Sequence, residues 1–294
     1  MKRILKLLLI SVLALAFVLP ITACSDDNSG SKTPGLKCKK IDDVYTIYDY
    51  VAEEGVTELD LDAVLKDEAT NVRIKKGAFA GNNTLVKISV PERVTKIDKG
   101  AFEQMSALET LELPFIGKTA NSDAYYQESK TDTDKSVDAD RTIAHLFGAD
   151  EYDAGIPVTI KFNDGSNGTT TCYMPQTFKN VIVKTTSAYS IPMYAFNGAV
   201  NLVSVTLSGN IDAIGEYAFA GCKEITTISF PESVKKIYKG AFMNCSKLAT
   251  LNFVSGATLD LVGEEAFVNT DLLDTALDGV ITLNADLKAD IFGE

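Results

Sequence analysis

The sequence predicts a single α/β solenoid of about eight turns, with short parallel strands on one face and helical or irregular Ala-Phe segments on the other. The first observation is a repeat. The apolar residues between Ile214 and Phe230 recur at the same spacings, 23 residues further along, between Ile237 and Phe253. The second is a series of short runs in which apolar and polar residues alternate. A repeat of this length indicates stacked turns, each of which buries its apolar side against the next.

Six Ala-Phe pairs mark the repeating unit. Their phenylalanines are Phe79, Phe102, Phe196, Phe219, Phe242 and Phe267. An isoleucine or valine stands five residues before each one, at Ile74, Ile97, Ile191, Ile214, Ile237 and Val262. A leucine or isoleucine stands six residues after the first five of them, at Leu85, Leu108, Leu202, Ile225 and Leu248. Equivalent residues of stacked turns lie above one another, so these columns predict the buried core.

An alternating run follows each of the first five pairs. The runs read LVKISV, LETLEL, LVSVTL, ITTISF and LATLNF. Alternation over so few residues predicts a short strand with one buried side and one solvent-facing side. Pro91, Pro114 and Pro231 follow three of these runs. They are expected to end those strands, because proline cannot donate a hydrogen bond to a sheet.

The repeat resembles a known bacterial family. GAFAGNNTLVKISVPERVTKI and YAFAGCKEITTISFPESVKKI are similar nearly throughout to the BspA-type leucine-rich repeat of bacterial surface proteins. The resemblance covers about residues 74–117 and 178–268. It implies a leucine-rich repeat solenoid in which each turn pairs a short parallel strand with an Ala-Phe segment. It also implies a role in attachment to macromolecules of a host or a neighbouring cell.

The first residues predict export. A basic start, an apolar run from Ile4 to Leu19 and a few small residues are typical of a signal peptide, here residues 1–23. The sequence from Ile21 to Cys24 resembles the lipobox of bacterial lipoproteins, which implies lipidation of Cys24 and anchoring to a membrane at the cell surface. The alternative is an ordinary secretory signal with a chance cysteine. Residues 24–36 are predicted to form a lipidated, flexible tether.

The remaining chain, residues 37–294, is predicted to be one solenoid. Residues 37–70 form its N-terminal cap, residues 114–192 are an insertion within the array, and residues 269–294 form the C-terminal cap. The segments 113–117 (LPFIG) and 146–148 (LFG) resemble an insertion known in the family. Within the insertion, VTIKFN and TTTCYMP flank a turn-rich run at 164–168, which predicts a β-hairpin.

The cysteines and the single histidine predict no catalytic or metal site. Cys222 and Cys245 share an interior column and are expected to be two free, buried thiols, although a disulfide between adjacent turns is the alternative. A pairing of Cys38 with Cys172 is also left open. His145 has no catalytic partner at a recognisable spacing and is expected to be a packed or surface residue. No metal ligand set, phosphate-binding loop or pair of nucleophile and base is found in the sequence, and no cofactor is expected.

The outward side chains of the predicted strands form the candidate binding face. They begin with Glu58 and Asp60 and continue with Lys87, Ser89, Thr110, Glu112, Asn180, Ile182, Ser204, Thr206, Thr227, Ser229, Thr250 and Asn252. The C-terminal half of this series consists of hydroxyl and amide side chains with almost no charge. It is either a solvated sheet surface or a recognition surface for protein backbone or glycan.

The sequence therefore predicts a non-enzymatic surface lipoprotein with a binding or adhesion module. Its formal net charge of −12 becomes −15 without Lys2, Arg3 and Lys6, and so acidic a protein is not expected to bind nucleic acid. The expected partners are a macromolecular ligand, protein or glycan, and the membrane through Cys24. A structural envelope spacer without a ligand is the alternative. A hydrolase that uses carboxylates of the insertion, such as Asp150, Glu151 and Asp153, is the least favoured.

Overall fold

The structure is a computed structural model that describes residues 34–120, 140–161, 169–281 and 285–293. It is a parallel β-solenoid with few helices. One strand from each of seven turns joins a continuous parallel sheet. These strands are β3 (Glu58–Asp60), β5 (Lys87–Ser89), β7 (Thr110–Leu113), β10 (Asn180–Ile191), β11 (Ser204–Ile214), β12 (Thr227–Ser229) and β14 (Thr250–Asn252). The predicted leucine-rich repeat fold is confirmed.

A second series of strands closes the other side of the turns. The N-terminal hairpin of β1 (Gly35–Ile41) and β2 (Val44–Val51) pairs in parallel with β4 (Val72–Ile74), which pairs with β6 (Val94–Ile97). Further along the chain, β13 (Lys236–Ile237) pairs with the end of β11, and β15 (Leu261–Val262) pairs with β13. The isoleucine and valine column of the repeat lies in these strands, fully buried.

Strands β10 and β11 are long because each runs through both series. No proline follows their first halves, whereas Pro91 and Pro231 end the equivalent strands of neighbouring turns. The two strands approach closely at Gly209, which has φ 86°. A β-carbon there would overlap the carbonyl oxygen of Thr185, so the close pairing of these strands requires glycine at this position.

The Ala-Phe segments are irregular turns held by a ladder of backbone hydrogen bonds. The amide of each phenylalanine donates to the carbonyl of the alanine one turn on, as from Phe219 to Ala241 at 2.8 Å and from Phe242 to Ala266 at 2.8 Å. At the insertion, the short helix Ile143–Phe147 takes the place of this segment, and Phe102 donates to Leu146 at 2.9 Å. The ladder ends where Phe267 donates to Ile291 in the C-terminal helix Ala285–Phe292.

The phenylalanine rings form the central column of the core. All six predicted phenylalanines are at most 1% exposed. Consecutive ring centroids are 5.3 Å apart for Phe79 and Phe102, and 5.0 Å apart for Phe219 and Phe242. Tyr50 continues the column at one end at 5.8 Å, and Phe292 continues it at the other at 5.9 Å. Aromatic rings from the terminal segments thus cover rings that would otherwise face solvent.

The insertion leaves the face sheet continuous. Strand β7 pairs directly with β10 in parallel, from Thr110 with Asn180 to Leu113 with Val183. The predicted hairpin is confirmed as β8 (Gly155–Lys161) and β9 (Thr169–Pro175), which are antiparallel. The other described helices are Leu61–Val64 and a 3-10 turn, Asp274–Leu277. The predicted signal peptide, Cys24, most of the tether, the polar stretch 121–139 and the turn between β8 and β9 lie outside the described residues.

The cysteine predictions have different outcomes. Cys222 and Cys245 are free, buried thiols, as predicted, and they donate to the carbonyls of Phe196 and Phe219 at 3.1 and 3.0 Å. The alternative pairing of Cys38 with Cys172 is wrong, because Cys172 is a free thiol. It is buried in β9, in the insertion, against which the helix Ile143–Phe147 packs, whereas Cys38 lies in the N-terminal hairpin.

Each Ala-Phe turn contains two residues whose backbone lies in the left-handed region. They lie two residues before and two residues after the phenylalanine. The first position holds Gly77, Gly100, Tyr194, Tyr217, Gly240 and Glu265, and the second holds Gly81, Gln104, Gly198, Gly221, Asn244 and Asn269. All twelve have φ between 51° and 77°. Most of these positions hold glycine or asparagine, because the β-carbon of most other residues comes too close to the backbone in this conformation.

Gln104 is a test of this requirement, since it is exposed and has φ 58°. We expect Gln104→Gly to raise the free energy of unfolding by about 0.5–1 kcal/mol, because relief of the left-handed strain exceeds the extra entropy of glycine in the unfolded chain. The matched change is Gly81→Ala, where a β-carbon would meet no atom within 4 Å. It should lower stability by a similar amount. Thermal or urea unfolding measures both, and a loss of stability in Gln104→Gly would contradict the strain argument.

Candidate functional site

The side chains of the candidate binding face lie in two rows along the sheet. Register places Glu58, Lys87, Thr110, Asn180 and Ser204 in one row, with Thr227 and Thr250. It places Asp60, Ser89, Glu112, Ile182, Thr206, Ser229 and Asn252 in the other. Neighbouring strands are about 4.8 Å apart, so each row presents one side chain per turn at that interval. The intervening residues, such as Ile88, Leu111 and Ile228, are fully buried in the core.

The two halves of this face differ in exposure. The predicted residues of β5, β7 and β10 are half-buried, and those of β11, β12 and β14 are exposed. In the first half, polar groups bond to one another: Asn180 Nδ2 donates to Thr110 Oγ1 at 3.3 Å, and Ser89 Oγ donates to Glu112 Oε2 at 3.4 Å. Lys184 also approaches Glu112 at 3.9 Å. This half is therefore charged and internally bonded.

The second half is uncharged and open to solvent. We call its six residues the neutral strip: Ser204, Thr206, Thr227, Ser229, Thr250 and Asn252. Asn252 Nδ2 donates to Ser229 Oγ at 3.3 Å within the strip. Val203 and Val254 lie at its borders and are 44% and 49% exposed. The strip offers hydrogen-bond donors and acceptors with apolar edges, and it contains no group that could act as an acid, a base or a charged ligand.

A hydrogen-bonded clip borders the charged half of the face. Glu92, which follows Pro91, accepts from both the amide and the hydroxyl of Thr186 in β10. The hydroxyl contact is 2.6 Å. These two hydrogen bonds lower the pKa of the Glu92 carboxyl, so it accepts them as a carboxylate at neutral pH. The clip joins turns on either side of the insertion and fixes the position of β10 relative to β5.

The carboxylates proposed for a hydrolase do not form a site. Asp150, Glu151 and Asp153 are all exposed, in the segment between the helix Ile143–Phe147 and β8. They make no side-chain hydrogen bond or ion pair with the part of the chain that the structure describes. Catalytic carboxylates are usually held in a cleft by their neighbours, whereas these three side chains make no such contact with the described residues.

The structure brings together a group that the sequence did not reveal. His145 Nδ1 lies 3.2 Å from Asp140 Oδ1, and Cys172 lies close by in the same cleft. The arrangement is unlike a catalytic triad, because His145 Nε2 faces the carbonyl of Ile97 at 3.2 Å and not the thiol. Burial raises the pKa of Cys172 to about 12, which keeps the thiol protonated. The group is therefore not a nucleophile with its base.

Two further features bear on function. Within residues 34–120, 140–161, 169–281 and 285–293, no cluster of histidine, cysteine and carboxylate side chains is suited to a metal ion. Over the same ranges, no helix has the length and apolar character needed to cross a bilayer.

The repeat matches a described family. Six copies of the BspA type leucine-rich repeat region match residues 64–137 and 169–286. No curated protein matches the chain in sequence. Similar crystal structures include a leucine-rich repeat protein from Bacteroides ovatus, with 17% identity and a TM-score of 0.39 over 81% of this chain. The chain spans 56% of that protein's length.

Two other bacterial structures are similar. The leucine-rich repeat protein of T. pallidum has 14% identity and a TM-score of 0.36, and the match covers 85% of this chain and 92% of that one. The pneumococcal vaccine antigen PcpA has 16% identity and a TM-score of 0.29, and the match covers 81% of this chain and 78% of that one.

The buried histidine makes stability depend on pH. Burial lowers the pKa of His145 below its usual 6.5, and the nearby Asp140 carboxylate only partly offsets this effect. We expect the free energy of unfolding to fall as the pH drops from about 7.5 to about 5.5, because the unfolded histidine takes up a proton that the folded one resists. The contribution is fully present above pH 6.5 and is lost as the pH falls through the lower pKa of the folded state.

The variant His145→Gln isolates this contribution. Burial raises the pKa of Glu103 and of Glu216, and these groups change stability in the opposite sense on acidification. The informative quantity is therefore the difference in pH dependence between the parent and the variant, measured by urea unfolding at several pH values. Between about pH 7.5 and about pH 5.5, the free energy of unfolding of the variant should fall by less than that of the parent. Equal losses in the two proteins would show that His145 is not the group responsible.

Proposed function

The chain belongs to the BspA-type leucine-rich repeat family, and we propose that it is a cell-surface lipoprotein that binds a protein or glycan of a host or neighbouring cell. Proteins of this family are often surface or adhesion proteins, and their solenoids present long, regular contact areas. A leucine-rich repeat solenoid is typically a binding scaffold without enzymatic activity. This premise supports a binding role, and the features of the face suggest where binding takes place.

The neutral strip is the observation that carries the proposal. Its six side chains are exposed and follow the register of three adjacent strands. A ligand that covers them gains hydrogen bonds without burying a charge, which would be costly unless it were paired. The exposed Val203 and Val254 add apolar area at the borders. Small hydroxyl and amide groups at fixed intervals suit an extended ligand with regularly spaced polar groups, such as polypeptide backbone or a glycan chain.

The charged half of the face is less suited to first contact. Its polar side chains already bond to each other, as in the pairs of Asn180 with Thr110 and Ser89 with Glu112. A ligand would have to break these bonds before making its own, which reduces the net gain. We therefore place the main contact on β11, β12 and β14.

Anchoring would place this face outside the cell. The apolar leader and the lipobox-like segment that ends at Cys24 support export and lipidation. Two acyl chains on one cysteine give durable membrane attachment, whereas a single chain gives only reversible binding. A binding module that is held at a surface in many copies also gains avidity for a ligand with repeated sites.

Substitution in the neutral strip tests the binding role. We expect Thr227→Glu and Thr250→Glu each to weaken attachment to host or bacterial surfaces at least tenfold, which corresponds to about 1.4 kcal/mol, because a ligand must then desolvate an unpaired carboxylate. Thr227→Val keeps the size and strand preference of threonine but removes the hydroxyl, and it should weaken binding less. Attachment of the labelled protein to cells and matrix extracts is measured together with the melting temperature.

The matched control is Thr258→Glu, which adds the same charge to an exposed threonine outside the face sheet. Attachment of this variant should equal that of the parent, and all variants should melt within about 2 °C of the parent. Full attachment by both strip variants would overturn the proposed site. An envelope spacer without a ligand, the alternative, predicts no saturable attachment by any form of the protein.

The proposed anchor has its own test. Cys24→Ala should abolish incorporation of a fatty-acid label and shift the protein from the membrane fraction to the soluble or secreted fraction, because the acyl chains are the only proposed attachment. Labelling and fractionation of cells that express the parent and the variant measure both effects. Cys172→Ala is the control, since that buried thiol should be irrelevant to lipidation. Retention of the label by Cys24→Ala would disprove lipidation at this residue.

A further inference from the structure

The insertion forms two walls of a cleft. It lies between the helix Ile143–Phe147, strand β9 and the turn that carries Lys99. Seven of its lining residues are polar or titratable: Lys99, Asp140, Thr142, His145, Thr170, Thr171 and Cys172. The enclosed part of the cleft has a volume of about 20 Å³, room for about one water-sized group, and the rest is open to solvent. It belongs to the Ala-Phe side of the array and shares no residue with the neutral strip.

The cleft carries excess positive charge. The carboxylate of Asp140 is held by Lys118 Nζ at 2.6 Å, so its charge is largely offset. Lys99 is exposed and has no ion-pair partner among the described residues. Burial is the main influence on the pKa of His145 and of Cys172, and the charge of Lys99 adds a smaller lowering effect on both. In a chain with a formal net charge of −12, this local excess favours an anion.

The walls also provide a hydroxyl group that can donate. Thr170 is half-buried, and its side chain makes no hydrogen bond within the part of the chain that the structure describes. It occupies the same side of β9 as Cys172, two residues on, because side chains of a strand alternate. A lysine ammonium and a threonine hydroxyl at the rim of one cleft form a donor pair that suits a carboxylate.

From this geometry we propose that the cleft binds a carboxylate group, which pairs with Lys99 and accepts a hydrogen bond from Thr170. The carboxylate comes either from an acidic sugar or from an acidic side chain of a peptide. The small enclosed space admits only the end of the carboxylate, and the rest of the ligand lies at the open rim of the cleft. The inference does not depend on the neutral strip, because a different set of residues carries it.

Binding is coupled to the protonation of His145. Both ring nitrogens lie 3.2 Å from an acceptor, Nδ1 from Asp140 and Nε2 from the carbonyl of Ile97. Only the protonated ring can donate to both. The charged and titratable groups that act on this ring are Asp140, Lys99 and Lys118, with Cys172 in the same cleft. An anion beside Lys99 offsets the repulsion from the two lysines, and protonation of His145 becomes easier.

His145 also provides the measurement, because it is the only histidine of the chain. Its ring protons give one set of resonances in an NMR titration of the purified protein. The probes are sodium glucuronate and N-acetylglutamate amide, with glucose as the uncharged control and sodium chloride at equal ionic strength. Either carboxylate should give a saturable shift and raise the pKa of His145 by about half a unit, which means about threefold tighter binding to the protonated form.

Lys99→Gln should weaken carboxylate binding at least tenfold, and Thr170→Val should weaken it less. Lys75→Gln, which removes an exposed lysine outside the cleft, should bind as the parent does. Melting temperatures show that each variant is folded. Tighter binding of glucuronate assigns the cleft to acidic sugars, and tighter binding of the glutamate derivative assigns it to acidic peptides. The proposal is overturned if neither probe gives a saturable shift, or if chloride or the Lys99→Gln protein gives the same one.

Discussion

The stacking of turns that cannot fold alone is the constraint on which this molecule depends. A single turn contributes one phenylalanine and a few aliphatic side chains, too little to form a core, and each ring is buried only because another lies about 5 Å away. The backbone follows the same rule, since the amide of each core phenylalanine finds its acceptor in the next turn. Side-chain packing and main-chain hydrogen bonding therefore impose the same spacing between consecutive turns. The aromatic rings of Tyr50 and Phe292 meet the same need at the two ends.

The constraint also explains how the array accepts a long insertion. The turns that flank an insertion must still pair with each other, and here they pair on both sides of the turn. Strand β7 meets β10 without a gap, and the helix Ile143–Phe147 supplies carbonyls to the amides of Gly100 and Phe102. Phe147 lies 4.9 Å from Phe178, so an aromatic contact also continues through this region. The added residues are then free to form a hairpin and a cleft beside the stack.

The parts that repeat could be read from the sequence, and the parts that do not repeat could not. The spacing of Phe219 and Phe242 was enough to predict stacked rings, and alternation was enough to place Thr227 and Thr250 on one outer face. The cleft escaped prediction because Asp140, His145 and Cys172 belong to the insertion, where no period relates them. The left-handed positions correspond to a column of glycine and asparagine in the sequence, but Tyr194, Tyr217 and Glu265 occupy three of these positions and weaken the pattern.

The two long strands have a mechanical consequence. Force applied between the N-terminal hairpin and a ligand on β12 or β14 passes across the pairing of β10 with β11. Short strands such as β12 can peel from their neighbours one or two hydrogen bonds at a time. In contrast, the pairing of β10 with β11 is long and runs from Asn180 with Ser204 to Ile191 with Ile214, through both series of strands. Under load these bonds share the strain, so the middle of the solenoid acts as a clamp and extension begins in the outer turns.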